Sequence, residues 1–317
     1  MNKITIFDIP KASKILITGH VNPDGDALGA GLALKIVLEK LKYDSVLSYD
    51  FSNKISPQFK YLPIDKITKK EELQDKYDIT FVLDCGDPQR LGTLSGLVLK
   101  SNNIYVIDHH LDLKFGTHAE VDPSAASTTQ VLFRILRNEK IEIDSDIANC
   151  LLTGLITDTG RFQYSNTNEE VFEIASQLVS LGANLVEITE SIYGSVSHNA
   201  LKLQADIIKR IEIHEKNKLS YSYVLQDDYK KHNTSPEDTD FLIDTVRLPR
   251  ETSVALLLKE QEDGSYKGSL RSRGKIDVQL VASSLGGGGH KAAAGFSSNQ
   301  NRAEILDKIN HEIRSQG

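Results

Sequence analysis

Short apolar runs alternate with helix-length segments through the first half of the chain. Lys14–Thr18, Ser45–Tyr49, Ile79–Leu83 and Ile104–Ile107 are short, apolar and bounded by turn-forming residues, and read as strands buried on both faces. Between them Asp26–Leu41 reads as a helix whose early face is Ala27, Gly29, Ala30, Gly31 and Ala33. Ser124–Asn138 and Asp144–Thr157 read as helices, each opening on a Ser or Asp able to cap. Strand–helix alternation with almost continuously apolar strands predicts a parallel sheet covered by helices on both faces.

From about Asn168 the pattern turns helical, over Glu169–Leu181, Leu185–Tyr193 and Asn199–Ile211, with Gly182 and Gly194 as punctuation. It changes again at Lys218. Leu219–Leu225 alternates as a strand, Thr252–Lys259 and Tyr266–Arg271 flank an Asp263-Gly264 turn, and Val278–Leu285 reads as a helix. A chain of 317 residues exceeds what one core ordinarily fills. The predicted fold is therefore α/β: a parallel-sheet domain over 1–190, a helical linker over 191–214 and a smaller mixed α/β domain over 215–317. No internal repeat is evident.

The apolar runs share a chemical feature at their ends. Ile15-Leu16-Ile17 leads into His20, Asp24 and Asp26; Phe81-Val82-Leu83 leads into Asp84; Tyr105-Val106-Ile107 leads into Asp108-His109-His110; and Leu151–Ile156 leads into Asp158. One aspartate after a strand is ordinarily a helix cap, and one histidine ordinarily satisfies a core hydrogen bond. Caps would not choose the same end of four elements. Carboxylate ends of parallel strands meet along one edge, where such folds hold ligands. Carboxylate oxygen with imidazole nitrogen and no thiolate suits manganese, iron, cobalt or zinc better than calcium. Four aspartates, Asp24, Asp26, Asp84 and Asp158, balance two divalent cations, with His20 and His109 as neutral donors. Asp84, alone on its strand end, is the candidate bridge between metals ~3.5–4 Å apart, a pair suited to activating water for attack on phosphorus. Asp108 is expected to orient His109, and His110 to face the substrate, holding a phosphate oxygen or protonating a leaving alkoxide.

Composition narrows the partners. The net charge of −7 argues against binding long duplex nucleic acid, which needs a basic surface, but not against a short nucleotide in a locally basic pocket. No apolar run approaches the ~18 residues that span a bilayer, so no membrane association is expected. The two cysteines lack pairing spacing and fit a reducing cytoplasm, and Cys85 beside Asp84 reads as a buried apolar residue. Near the C-terminus, Gly286-Gly287-Gly288-Gly289-His290-Lys291 lies between apolar segments. Its glycines could turn successive N–H groups toward one anion, with His290 and Lys291 adding charge. Arg271-Ser272-Arg273 offers two guanidinium groups suited to phosphate.

Together these segments resemble the DHH phosphoesterase family, named for the tripeptide present here as Asp108-His109-His110. H-x-x-x-D-x-D occurs at His20 to Asp26, D-C-G-D at Asp84 and T-D-T-G around Asp158, so the resemblance spans four separated motifs. It implies two manganese ions, one held by His20, Asp24 and Asp84, the other by Asp26, Asp84, His109 and Asp158. The last third resembles the DHH-associated C-terminal domain, with its G-G-G-H loop and upstream arginine. That resemblance implies a substrate-holding role for Arg271, Ser272, Arg273, Gly287, Gly288, Gly289 and His290 across a cleft from the metals.

Within the family, the two-domain layout resembles bacterial enzymes that hydrolyse short RNA (nanoRNA) to mononucleotides and dephosphorylate 3′-phosphoadenosine-5′-phosphate to AMP. The expected substrates are thus short RNA oligonucleotides and nucleotide bisphosphates, and a homodimer is compatible with the sequence. The alternative enzyme is a phosphodiesterase for linear or cyclic dinucleotides such as pApA and cyclic di-AMP. A nucleotide-binding regulator with a structural metal is a third reading, against which the full donor set plus His110 argues.

Overall fold

The computed structural model describes residues 5–51, 55–111 and 113–316. The chain divides into two compact units, one ending at Gly194 and the other beginning at Ser195. In the first unit, β1 (Lys14–Gly19), α1 (Gly25–Lys40), β2 (Asp44–Leu47), β3 (Ile79–Leu83), α2 (Ser95–Val98), β4 (Asn103–Asp108) and β5 (His118–Val121) precede three longer helices. These are α3 (Thr128–Asn138), α4 (Ser145–Asp158) and α5 (Glu169–Ser180); the short α6 (Leu185–Thr189) follows. The sheet is wholly parallel, in the order β2-β1-β3-β4-β5. Its apolar strands are covered on both faces, one by a core that includes Ile15, Ile17, Phe81 and Leu83, the other by a core that includes Leu16, Val82 and Val106. The expected strands are present to within a residue or two. β5 was not expected, and the helix expected from Ser124 starts only at Thr128, with Ser127 as its cap.

Helix α1 is buried from Gly25 to Leu38, a consequence of its small and apolar composition. It lies directly against α4. A Cβ on Gly29 would sit 2.3 Å from the Cys150 carbonyl oxygen, and one on Gly154 would sit 2.4 Å from Asp26 Oδ1. Close helix approach is therefore what seats Asp26 in the interior. Both cysteines are buried and unpaired. Among the described residues no single helix is long and apolar enough to cross a membrane.

The second unit opens with α7 (His198–Lys209), followed by β6 (Glu212–His214), β7 (Leu219–Val224), α8 (Gln226–His232), α9 (Leu242–Val246), β8 (Val254–Glu260) and β9 (Tyr266–Ser272). α10 (Val278–Ser283), β10 (Gly288–His290), β11 (Ala293–Ser298) and α11 (Arg302–Ser315) complete it. The sheet runs β10-β11-β9-β8-β7-β6, antiparallel except for the β7–β8 pair. The expected hairpin joins β8 to β9, with Gly264 at φ 81° in its turn. Leu256, Leu258, Leu270 and Phe296 pack with Val278, Val281, Ile305, Ile309 and Ile313 on one side. On the other, Val224, Ala255 and Leu257 pack with Leu203 and Ile207 of α7 and with Leu242, Ile243 and Val246 of α9. The expected linker helix thus belongs to this second core, because its apolar stripe at Ala200, Leu203 and Ile207 needs a sheet face to cover it.

The α1–α4 contact is testable by Gly29→Ala. Helix propensity alone would favour alanine by ~1 kcal/mol. The clash with the Cys150 carbonyl is the larger effect, since overpacking costs ~1–3 kcal/mol. Urea unfolding should show net destabilisation, and a gain in stability would contradict the close approach.

Candidate active site

Strand register sets three motifs level with one another. Gly19 pairs with Leu83, and Leu83 with Ile107, so His20, Asp84 and Asp108 stand one step further on along three adjacent strands. The sheet order changes direction between β1 and β3, the place where an open α/β sheet leaves a crevice for ligands. Asp84 follows β3 with φ 56°, a left-handed conformation uncommon outside glycine but tolerated by Asp. The residue is 2% exposed and its two carboxylate oxygens face different groups. Oδ2 lies 3.3 Å from His20 Nε2, while Oδ1 lies 3.5 Å from His109 Nε2 and 3.4 Å from His110 Nδ1.

Each imidazole continues to further carboxylates. His20 Nε2 is 3.9 Å from Asp24 Oδ1, and that oxygen also caps α1 by accepting from the N–H groups of Asp26 and Ala27. His109 Nε2 is 3.2 Å from Asp158 Oδ2 and 3.9 Å from Asp26 Oδ2. Both rings place Nδ1 against a main-chain carbonyl, Val21 at 2.9 Å for His20 and Ala125 at 3.3 Å for His109. A histidine whose Nδ1–H is held this way presents its Nε2 lone pair to a metal. Asp158 arrives at the last residue of α4, where the helix dipole is unfavourable to a carboxylate. Asp26 is better placed, accepting at 2.6 and 2.9 Å from the N–H groups of Thr128 and Thr129 at the start of α3.

Asp108 behaves differently from expectation. Its Oδ1 accepts from the main-chain N–H of His109 at 2.7 Å and of His110 at 3.0 Å, and its ring partner is His110 Nδ1 at 2.8 Å. The His109 ring is oriented by the Ala125 carbonyl instead. A tight turn after β4 brings the second histidine, rather than the first, back over the carboxylate. Asp108 Oδ2 is buried with no hydrogen-bond partner among the described residues.

Charge crowding dominates the electrostatics. Burial, reinforced by the charges of Asp158 and Asp84, holds the Asp26 carboxyl well above its ordinary range. Burial likewise pushes Asp158 up to about 6, against the opposing pull of His109. Burial would lower the three imidazoles, yet neighbouring carboxylates outweigh it and raise His20 to about 10, His109 to about 11 and His110 to about 9. Asp84 is held well below the usual carboxylate range, since His110 and His20 outweigh its burial. Donor atoms of His20, Asp24 and Asp84 lie within 4.8 Å of one another, as do those of Asp26, His109 and Asp158. Like charges this close stay ionised together only beside compensating positive charge. The donors are oxygen and imidazole nitrogen, and the Cys85 thiol is turned to the Asp87 carbonyl at 3.2 Å. Divalent manganese, iron, cobalt or zinc fits such a set.

In the second unit the glycine run is not a free loop. Gly288–His290 form an edge strand paired with Ala293–Gly295, and a Cβ on Gly287 would sit 2.1 Å from the Gly295 carbonyl oxygen. The glycines admit close backbone approach at an edge as well as any N–H display, which corrects the expected loop. Arg271 lies on β9 between Ala255 and Ala293, two small neighbours. Its Nη1 donates to the Leu270 carbonyl at 3.0 Å, and its buried Nε has no hydrogen-bond partner among the described residues. The Ser272 hydroxyl is committed to the Ile276 carbonyl at 2.7 Å. Arg271 and Arg273 line a small cleft together with Arg247, which the sequence pattern did not single out. Thr128, Thr129 and Ala125 also escaped the sequence reading, since three of the four contacts they make with the site use main-chain atoms.

Fold and site together define a doubly wound α/β protein with paired carboxylate–imidazole clusters at its switch point. Residues 14–155 match the DHH family N-terminal domain and residues 216–315 the DHHA1 domain. The chain is 31% identical to the bifunctional oligoribonuclease and PAP phosphatase NrnA of Thermus thermophilus, over 96% of its own length and 91% of that protein. It belongs to the DHH family. Among solved structures, an exopolyphosphatase-related protein of Bacteroides fragilis superposes with TM-score 0.87 at 24% identity, covering 96% of this chain and 93% of the other. RecJ of Thermus thermophilus in complex with Mn2+ superposes with TM-score 0.52 at 14% identity, covering 95% of this chain and 52% of RecJ. At those identities the two structures speak for the fold alone.

The raised imidazoles have a measurable consequence. Without metal, His20 and His109 carry protons near neutral pH, and each must lose its proton to act as a ligand. Mn2+ uptake should therefore release two or more protons per chain, those of the two imidazoles and any that the raised Asp26 carboxyl holds. Apparent affinity should climb as pH rises from neutral toward the imidazole values. Calorimetry in buffers of different ionisation enthalpy measures the release, and proton-neutral uptake would contradict this electrostatic picture.

Proposed function

We propose that this chain is a cytoplasmic metal-dependent hydrolase that cuts short oligoribonucleotides to mononucleotides and dephosphorylates 3′-phosphoadenosine-5′-phosphate to AMP. The observation that carries the reading is the Asp84 carboxylate, whose two oxygens lie 3.3 Å from His20 Nε2 and 3.5 Å from His109 Nε2. The near full-length likeness to NrnA of Thermus thermophilus supports the substrate class.

We assign His20, Asp24 and Asp84 to one divalent ion, and Asp26, Asp84, His109 and Asp158 to a second. Manganese suits these carboxylate and imidazole donors. When bound, such a pair acidifies water and draws charge from nonbridging phosphate oxygens. The remaining work falls to the chain. Asp108 holds the His110 Nδ1 proton and fixes the ring, so Nε2 is the atom we assign to the substrate. There it can hold a phosphate oxygen or deliver a proton to the leaving alkoxide. Asp24 keeps the turn into α1 rigid through its two cap bonds. A protein of net charge −7 needs local cations for a polyanion, a role we give to Arg271, Arg273 and His290 with the backbone of Gly287, Gly288 and Gly289; Ser272 buttresses that turn.

The direct test is turnover with Mn2+ on di- and trinucleotides, the bisphosphate and cyclic dinucleotides. Short RNA and the bisphosphate should both be cut. Cleavage confined to cyclic or linear dinucleotides would replace this reading with the dinucleotide phosphodiesterase, and absent turnover would favour a binding role. Two substitutions separate the assigned parts. Asp84→Ala should abolish hydrolysis and reduce bound metal to half or less. His110→Ala should keep its metal while turnover falls by ~10²–10⁴. Metal loss in the second variant would make His110 a ligand.

A further inference from the structure

One buried residue at the start of α3 touches carboxylates of both clusters. Thr128 donates its main-chain N–H to Asp26 Oδ2 at 2.6 Å and its hydroxyl to Asp84 Oδ1 at 3.0 Å. The turn that carries it is held independently of either carboxylate. Ser127 caps the helix by accepting from the Gln130 N–H at 3.0 Å, and Gln130 Oε1 accepts from the Ala126 N–H at 2.7 Å. Further along α3, the Arg134 guanidinium bonds Asp122 at 2.5 Å and Glu170 at 2.6 and 2.5 Å, tying the helix to β5's exit and to α5. Thr128 is therefore a fixed point to which the two carboxylates are referred.

The hydroxyl matters because of the torsion it controls. The outer torsion of an aspartate is broad and roughly two-fold, so the backbone of Asp84 does not settle where its oxygens point. A carboxylate that must offer one oxygen to each of two cations cannot swing about that torsion. A hydroxyl donor to an ionised oxygen is stronger than a neutral pair and takes one lone-pair direction on Oδ1. We infer that Thr128 is a positioning residue that locks the Asp84 carboxylate in its bridging orientation and in register with Asp26. The inference rests on the two-cation reading above.

Thr128→Val keeps the side-chain volume and the N–H to Asp26 but deletes the donor to Asp84. Calorimetric Mn2+ titration should then show one of the two equivalents weakened ~10–100-fold, the scale for losing a group that orients a metal ligand, with the other retained. The exchange-coupled Mn2+ pair signal in electron paramagnetic resonance should give way to that of isolated ions. Thr128→Ser, which restores the hydroxyl, should restore both. Two tight equivalents and a coupled signal in Thr128→Val would overturn the inference. So would equal weakening of both ions that serine fails to rescue, which would mark a packing role. If the unsubstituted chain bound no Mn2+ pair, the two-cation reading itself would fall.

Discussion

Four carboxylates, Asp24, Asp26, Asp84 and Asp158, are gathered around two imidazoles at one end of a parallel sheet, and their mutual repulsion is the constraint the surrounding structure answers. Asp84 is the shared member. It is nearly fully buried, stands in a left-handed backbone conformation and divides its two oxygens between His20 and His109. Burial at this density holds the Asp26 and Asp158 carboxyls above their ordinary range in a metal-free site, while neighbouring imidazoles hold Asp24 and Asp84 below theirs. Divalent cations relieve that conflict, and the same cations supply what phosphoester hydrolysis requires.

The fold meets the constraint with devices that differ from one carboxylate to the next. Asp24 is a helix cap, so its position follows from the start of α1. Asp26 lies in the first turn of α1, where Gly154 leaves space for it and the N-terminus of α3 supplies two N–H donors. Asp84 and Asp108 are set by strand register. Asp158 sits at the opposite kind of terminus, a helix C-end, and is the carboxylate least favoured without compensating charge. The second unit has a separate task, holding its own sheet between two helical layers while the β10-β11-β9 side of that sheet carries arginine and glycine.

Much of this was legible in the sequence because the physics is local. Two-sided burial makes parallel strands read as apolar runs, and Ile15–Ile17, Phe81–Leu83 and Val106–Ile107 were plain for that reason. The ligand candidates stood out by following those runs. Other features depend on tertiary pairing. Strand β5, His118–Val121, is half-exposed along its whole length and lacks alternation. The glycines at 288 and 289 have low strand propensity, and only the adjacent β11 makes them a strand. Asp108 beside two histidines gave no sign of which ring it would reach. Thr128 looks like any first residue of a helix, because its hydroxyl partner lies 44 positions away in the chain. Helix α11 carries a local signal as well: Ile305, Ile309 and Ile313 recur at helical spacing behind an Asn301–Glu304 capping box.

The central claim is that a single carboxylate, Asp84, joins two cation sites. Anomalous diffraction at the manganese edge, on crystals grown with Mn2+, tests it most directly. The account predicts two peaks ~3.5–4 Å apart, each in coordination distance of a different Asp84 oxygen. One peak, or two that do not share Asp84, would contradict it.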